Sequence, residues 1–174
     1  MNQKDIILLI DDDEENRSTL HEILSDTYTI VDASTITEAL TKLENHAVKI
    51  SLILLNLMIS NMYGFAFLAE LQRIKVATNI PVIVTTVDNN ETKELEALQL
   101  GAHDIIAKPF RPAIIKRRIA NTIKLLKTAA EINMIERDVL TGLYSMNFFA
   151  KKVAEVIQTN VGKKYLVVFA NISR

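Results

Sequence analysis

The run that decides the fold is ISLILLNLMISNMYG, Ile50 to Gly64. Ile50, Leu52, Ile53, Leu54 and Leu55 make an apolar stretch interrupted only by Ser51. A strand wet on one face alternates polar and apolar side chains, so a run this continuous is buried on both faces. It stops abruptly at Asn56, and a loop of mixed character follows to Gly64. Open α/β sheets place their chemistry in the crevice outside the carboxyl ends of their strands. The question this stretch poses is what an amide does at position 56.

Upstream, Ile6 to Ile10 is a second buried-strand run, ending at Asp11, Asp12 and Asp13. Glu14 to Ser25 predicts a helix, with Leu20, Ile23 and Leu24 on one face and acids in its first turn. Tyr28 to Val31 reads as a short strand, and Thr35 to His46 as a helix carrying Ile36, Ala39, Leu40 and Leu43. Downstream come a helix from about Phe65 to Lys75 and a strand from Ile80 to Val84, breaking off at Thr85 and Thr86. Glu91 to Leu100 predicts a helix closed by Gly101. Ile105 and Ile106 make a brief fifth strand that runs into Lys108-Pro109-Phe110. Strands alternating with helices in this way predict a doubly wound, flavodoxin-like α/β domain with a parallel sheet of order 2-1-3-4-5. That winding brings the polar residues closing strands one, three, four and five to one edge: Asp11 and Asp12, Asn56, Thr86, and Lys108.

Composition sets the outer limits. The chain has 174 residues, 49% of them hydrophobic, enough for one full domain and a remainder. A net charge of −1 gives no global reason to expect nucleic acid or an anionic membrane as partner. There is no cysteine, hence no disulfide framework or thiolate metal site. The apolar run before Asp11 is too short for a signal peptide or a spanning helix, so a cytoplasmic protein is expected.

The ordered set of strand-end residues resembles the response-regulator receiver domain over residues 1 to about 120. The match rests on Asp11 and Asp12, on LLNLMIS, on IPVIVTT with Thr86, and on GAHDIIAKPF with Lys108. The resemblance implies a module that binds Mg²⁺ and takes a phosphoryl group from a histidine kinase onto an aspartate, whose position here is Asn56. It implies Asp12 as main carboxylate ligand with Asp11 beside it, and the Asn56 side-chain oxygen and the Met58 carbonyl as further oxygen ligands. Thr86 and Lys108 take the positions that contact the phosphoryl oxygens.

An acyl phosphate needs a carboxylate oxygen as nucleophile, and an amide does not supply one. Losing one of three clustered acids also weakens the Mg²⁺ site. Ser60 and Ile105 depart from the family as well, standing where a proline and a rotating aromatic switch residue are usual. The expectation is a pseudo-receiver that is not phosphorylated. Competing readings are an engineered Asn56 in an ordinary phospho-switch, phosphorylation of Asp13 or another nearby acid instead, and survival of Asp11, Asp12 and Lys108 purely as a structural ion-pair network. His21, His46 and His103 stand singly, read as surface or cap residues, and Met58 and Met62 read as packing residues.

Pro112 suits a first helical turn, and Arg111 to Arg137 carries Ile115, Ile119, Ile123, Leu126, Ala130 and Met134 at three- and four-residue steps. A helix of that span is about 40 Å long, more than one receiver covers. Its distal half is therefore expected to project or meet another helix, and the linker, 111–137, to pair with the same helix of a second chain as a short, imperfect coiled coil. Its basic side, with Lys116, Arg117, Arg118, Lys124 and Lys127, reads as solvated rather than as a nucleic-acid surface.

The remainder, 138–174, resembles the start of the GGDEF family of diguanylate cyclases. Asp138, Leu140, Thr141, Gly142, Leu143 and Phe149 match its opening motif, while Ser145 and Met146 depart from it. YLVVFANISR resembles that family's first strand, with Asn171 and Ser173 at its two acidic positions. A partial α/β tail of this size cannot bury its own core and cannot cyclise GTP, so no enzyme is expected here. The expectation is the front of a longer receiver–cyclase-like protein in a cyclic-di-GMP pathway, dimerising through the long helix or the tail. The rival expectation is a parent that is an active diguanylate cyclase.

Overall fold

Strand β3 (Ile50–Asn56) lies at the centre of a five-stranded sheet in which every pairing is parallel. Its neighbours are β1 (Ile6–Ile10) and β4 (Val82–Thr86), with β2 (Thr29–Ala33) and β5 (Asp104–Ala107) at the edges. The order, β2-β1-β3-β4-β5, is the winding expected from the sequence. The structure is a computed structural model that describes residues 4–44, 49–59, 63–71, 73, 80–87, 90–136 and 142–159. His46, Ser60, Met62, Asp138, Leu140 and Thr141 lie outside the described residues, as do Asn171, Ser173 and the strand expected before them.

The unbroken apolar run of β3 is explained by helices on both faces. Ile53 and Leu55 join Leu8, Ile10, Val82 and Val84 in a core covered by α2 (Ile36–Glu44), α3 (Tyr63–Leu71) and α4 (Glu91–Gln99). Leu52 and Leu54 point the other way, into a core with Ile7, Leu9 and Ile83 under α1 (Glu14–Leu24) and α5 (Pro112–Glu136). All four β3 side chains are fully buried. Ser51, the polar interruption, donates its hydroxyl to Asp5 Oδ1 at 3.0 Å.

The bounds of β4 and β2 differ from the sequence reading for local reasons. β4 starts at Val82, not Ile80, because Pro81 has no N–H for the ladder; it contributes only its carbonyl, which accepts from the Ile53 N–H at 2.8 Å. The strand then includes Thr85 and Thr86, both buried, rather than breaking off at them. β2 starts at Thr29, leaving Tyr28 to pack in the α1–α5 core, where burial pushes its phenol pKa up. Gly101, at φ 96°, closes α4 in the left-handed conformation the sequence predicts.

The chain divides into two compact units, Met1–Leu126 and Lys127–Arg174. In the first, Ile115, Ile119 and Ile123 of α5 are buried against the sheet. The apolar stripe of the long helix is therefore consumed over this half by its own domain and cannot serve there as a seam between chains. Part of the basic side is consumed too. Lys116 reaches Asp26 at 2.8 Å and holds its carboxyl below the usual range, and Arg118 binds Asp104 and the Ile105 carbonyl. The second unit has α6 (Met146–Thr159), capped by Ser145, whose Oγ accepts from the Phe148 N–H at 3.2 Å. Tyr144 stacks on Phe148 with ring centroids 4.8 Å apart. Among the described residues, no helix is long and apolar enough to cross a membrane.

Candidate functional site

β1 and β3 are buried neighbours in register, Ile10 beside Leu55, so the residues that follow them emerge side by side. Their ends are tied by backbone bonds: Asp11 N–H to the Ala33 carbonyl at 3.2 Å, and Leu57 N–H to the Thr85 carbonyl at 2.9 Å. On the far side, the Lys108 N–H donates to the Thr86 carbonyl at 2.7 Å, which fixes the β5 exit beside β4. The sheet thus delivers Asp11, Asn56, Thr86 and Lys108 to one edge, as the winding requires.

Asp11 is the centre of the arrangement and is completely buried. Its Oδ1 accepts from Asn56 Nδ2 at 2.9 Å, from the Asp13 N–H at 3.0 Å and, at the outer limit, from Asn16 Nδ2 at 3.5 Å. Its Oδ2 meets the Lys108 ammonium at 3.1 Å, and the Lys108 side chain is only 10% exposed. The ammonium also lies 5.6 Å from the centre of the Phe110 ring, within cation–π range. The Asn56 amide is spanned in turn: its nitrogen donates to Asp11 and its oxygen accepts from the Met58 N–H at 3.3 Å. The result is a buried amide–carboxylate–ammonium chain linking the ends of β3, β1 and β5. Asp11 and Lys108 are therefore ion-paired across the ends of β1 and β5.

Around it opens a crevice of about 370 Å³, bordered by Asp12, Asp13, Asn16, Met58 and Val87 as well as Asn56 and Lys108. Asp12 is exposed on its rim. Met58 is 41% exposed there, a rim residue and not the packing residue expected. Thr86 is buried at the end of β4. Ile105 belongs to a different place, a cavity of about 340 Å³ bordered by Leu98 of α4 and Arg111, Ile114 and Arg118 of the α5 region.

Sequence reasoning passed over Asn16 and Arg17. They lie one turn into α1, and the Arg17 guanidinium donates to the Asp11 carbonyl at 2.8 Å. The signal was available: helical spacing from the acid run points the first turn of α1 back at Asp11. Asp13 is the N-cap, accepting through Oδ1 from the Glu15 and Asn16 N–H groups at 2.8 and 3.3 Å. An Asp13→Ala variant is expected to lose about 1 kcal/mol of stability in urea unfolding, the usual worth of such a cap. The two described histidines have partners as well. His21 Nε2 lies 2.8 Å from Asp32, and His103 Nδ1 accepts from the Val82 N–H at 3.3 Å.

The donors able to meet a hard divalent cation are oxygens of Asp11, Asp12 and Asn56 and the Met58 carbonyl. The type suits Mg²⁺, but only two carboxylates contribute, and both Asp11 oxygens are already engaged. Among the described residues, no group of three or more His, Cys, Asp or Glu is placed to hold a metal.

Comparison with known proteins bears on this geometry. The family model described as "Response regulator receiver domain" matches residues 7–120. The chain is 30% identical over 144 residues to the alkaline phosphatase synthesis transcriptional regulatory protein PhoP of Bacillus subtilis (strain 168), covering 82% of this chain and 57% of that protein. Its fold is that of the receiver domain protein (CheY-like) from Methanospirillum hungatei JF-1, with a TM-score of 0.66 at 23% identity, over 73% of this chain and 99% of that one. The receiver domain of sensor histidine kinase PA1611 from Pseudomonas aeruginosa PAO1, solved with magnesium coordinated in its active site cleft, gives 0.63 at 22% identity over 70% and 98%. The crevice of Asp11, Asn56 and Lys108 thus sits at the sheet edge of a chain that belongs to the response regulator receiver domain family.

Proposed function

We propose that this receiver works as a pseudo-receiver, relaying a signal by association with other protein chains and not by accepting a phosphoryl group. The observation that carries the reading is Asn56 at the end of β3, its amide nitrogen 2.9 Å from Asp11. A carboxylate there would attack a phosphodonor; an amide has no anionic oxygen to form the anhydride. Asp13, the nearest substitute, is occupied as a helix cap, which supports the same reading. Mg²⁺, if bound, would be held weakly by Asp12 and Asp11 with the Asn56 oxygen and the Met58 carbonyl, and would supply charge neutralisation in the crevice.

Association falls to the long helix and the GGDEF-like segment that follows. With Ile115, Ile119 and Ile123 buried, the exposed large apolar residues among the described side chains of α5 are Ile114, at 37%, and Leu125, at 72% and further from the sheet's own core. A second copy pairing through the helix would use the face bearing Leu125, and the partial 138–174 segment would be the start of the output. Sedimentation velocity is expected to show a concentration-dependent dimer that phosphodonor does not change and that Leu125→Glu weakens.

Incubation with acetyl phosphate and Mg²⁺, followed by intact mass, tests the central part. The protein as written is expected to gain no acid-labile phosphate, and Asn56→Asp to gain one. Phosphate on the Asn56 protein overturns the reading. Phosphate on neither means the site has lost more than its acceptor.

A further inference from the structure

The crevice carries its own cation. Asp11 is buried, and a buried carboxylate needs a counter-charge or several donors to stay ionised. It has both in Lys108 at 3.1 Å and the donors on Oδ1. Position 56 decides whether that suffices. An aspartate there, in the same rotamer, would put an anionic oxygen where the amide nitrogen now lies, 2.9 Å from Asp11 Oδ1. Two carboxylates that close repel strongly, and one ammonium cannot neutralise both. The amide turns that repulsion into a hydrogen bond, which leaves a single buried anion facing a single buried cation.

We propose that Lys108 is the resident cation of this crevice, and that a divalent ion enters only by displacing it from Asp11. The inference rests on reading position 56 as a non-acceptor, but it makes a separate claim about the protein's need for metal. Asn56 removes the charge that would call for a divalent ion, and Lys108 occupies the oxygen such an ion would use. The native protein is then complete without metal, and the metal requirement is restored by a single substitution.

Two variants isolate the two halves of the argument. Asn56→Asp restores the second carboxylate; Lys108→Met removes the ammonium while keeping a chain of similar length. Each is compared with the native protein by thermal unfolding, with and without MgCl₂ at matched ionic strength, and Mg²⁺ binding is measured by titration calorimetry. Native protein is expected to shift by less than about 1 °C at millimolar Mg²⁺, since an ion bound no tighter than its own concentration stabilises little. Asn56→Asp is expected to melt lower than native without Mg²⁺ and to recover with it, and to bind Mg²⁺ at least ~10-fold tighter, because site charge sets affinity. Lys108→Met, if it folds, is expected to bind Mg²⁺ more tightly than native. If it does not fold, Asn56→Asp alone decides.

Submillimolar Mg²⁺ binding by native protein, or an Asn56→Asp variant as indifferent to Mg²⁺ as native, overturns the proposal. Native protein that binds Mg²⁺ tightly yet takes no phosphate would sink this inference and leave the pseudo-receiver reading intact. Native protein that takes phosphate would sink the reading first.

Discussion

Lys108→Met is expected to lower unfolding stability by about 3 kcal/mol without divalent cations, the low end of what breaking a buried ion pair costs. The cost comes from Asp11 and not from the lysine. With the ammonium gone, a fully buried carboxylate keeps only the donors on Oδ1, and Oδ2 faces an uncharged side chain. The low end applies because those donors remain. Removing both charges, as Asp11→Asn with Lys108→Met, is expected to recover most of the loss, leaving a coupling energy above ~1 kcal/mol in a double-mutant cycle. Urea unfolding of the two single variants and the double variant measures it. Losses that simply add would show that the two groups do not act as a pair.

Gly64→Ala is expected to cost about 2 kcal/mol by the same measurement, in the range for overpacking a tight contact. A Cβ at this position would lie 2.4 Å from the Leu57 carbonyl oxygen and within 2.9 Å of two more Leu57 backbone atoms. No flexible side chain can move aside; the first turn of α3 or the Asn56–Leu57 loop must shift. The loop is pinned, since the Leu57 N–H is bound to Thr85 and the Asn56 oxygen to the Met58 N–H. The strain should reach the crevice. Gly64 allows α3 to start close enough to hold the loop after β3 in place, and the variant should also perturb the Asn56 amide resonances.

The fold was legible because its central signal is local. The β3 run is apolar at successive positions because α1 and α5 cover one face and α2, α3 and α4 the other, and a burial pattern needs no knowledge of partners to be read. The set of strand-end residues followed from winding alone. Connectivity within the site was not legible. Asp11 and Asp12 are adjacent acids in the sequence, yet one is fully buried and the other exposed, a distinction made by strand direction at the end of β1. That Lys108 selects Asp11 depends on the exits of β1 and β5, 97 residues apart. Pro81 marks the start of β4 in the sequence, since a residue without an N–H cannot donate to the ladder. A helix longer than one receiver covers leaves only its distal half to project, which agrees with Ile115, Ile119 and Ile123 being buried against their own sheet.

The most direct measurement is the Asn56 side-chain amide in a ¹⁵N-labelled sample of the protein as written, followed by NMR through additions of MgCl₂ and then acetyl phosphate. If the amide donates to Asp11 in a crevice neutralised by Lys108, its two proton resonances should be well separated, slow to exchange with solvent, and unmoved by either addition. A shift of those resonances that saturates with Mg²⁺ below the millimolar range, or any new set that grows with phosphodonor, would contradict it.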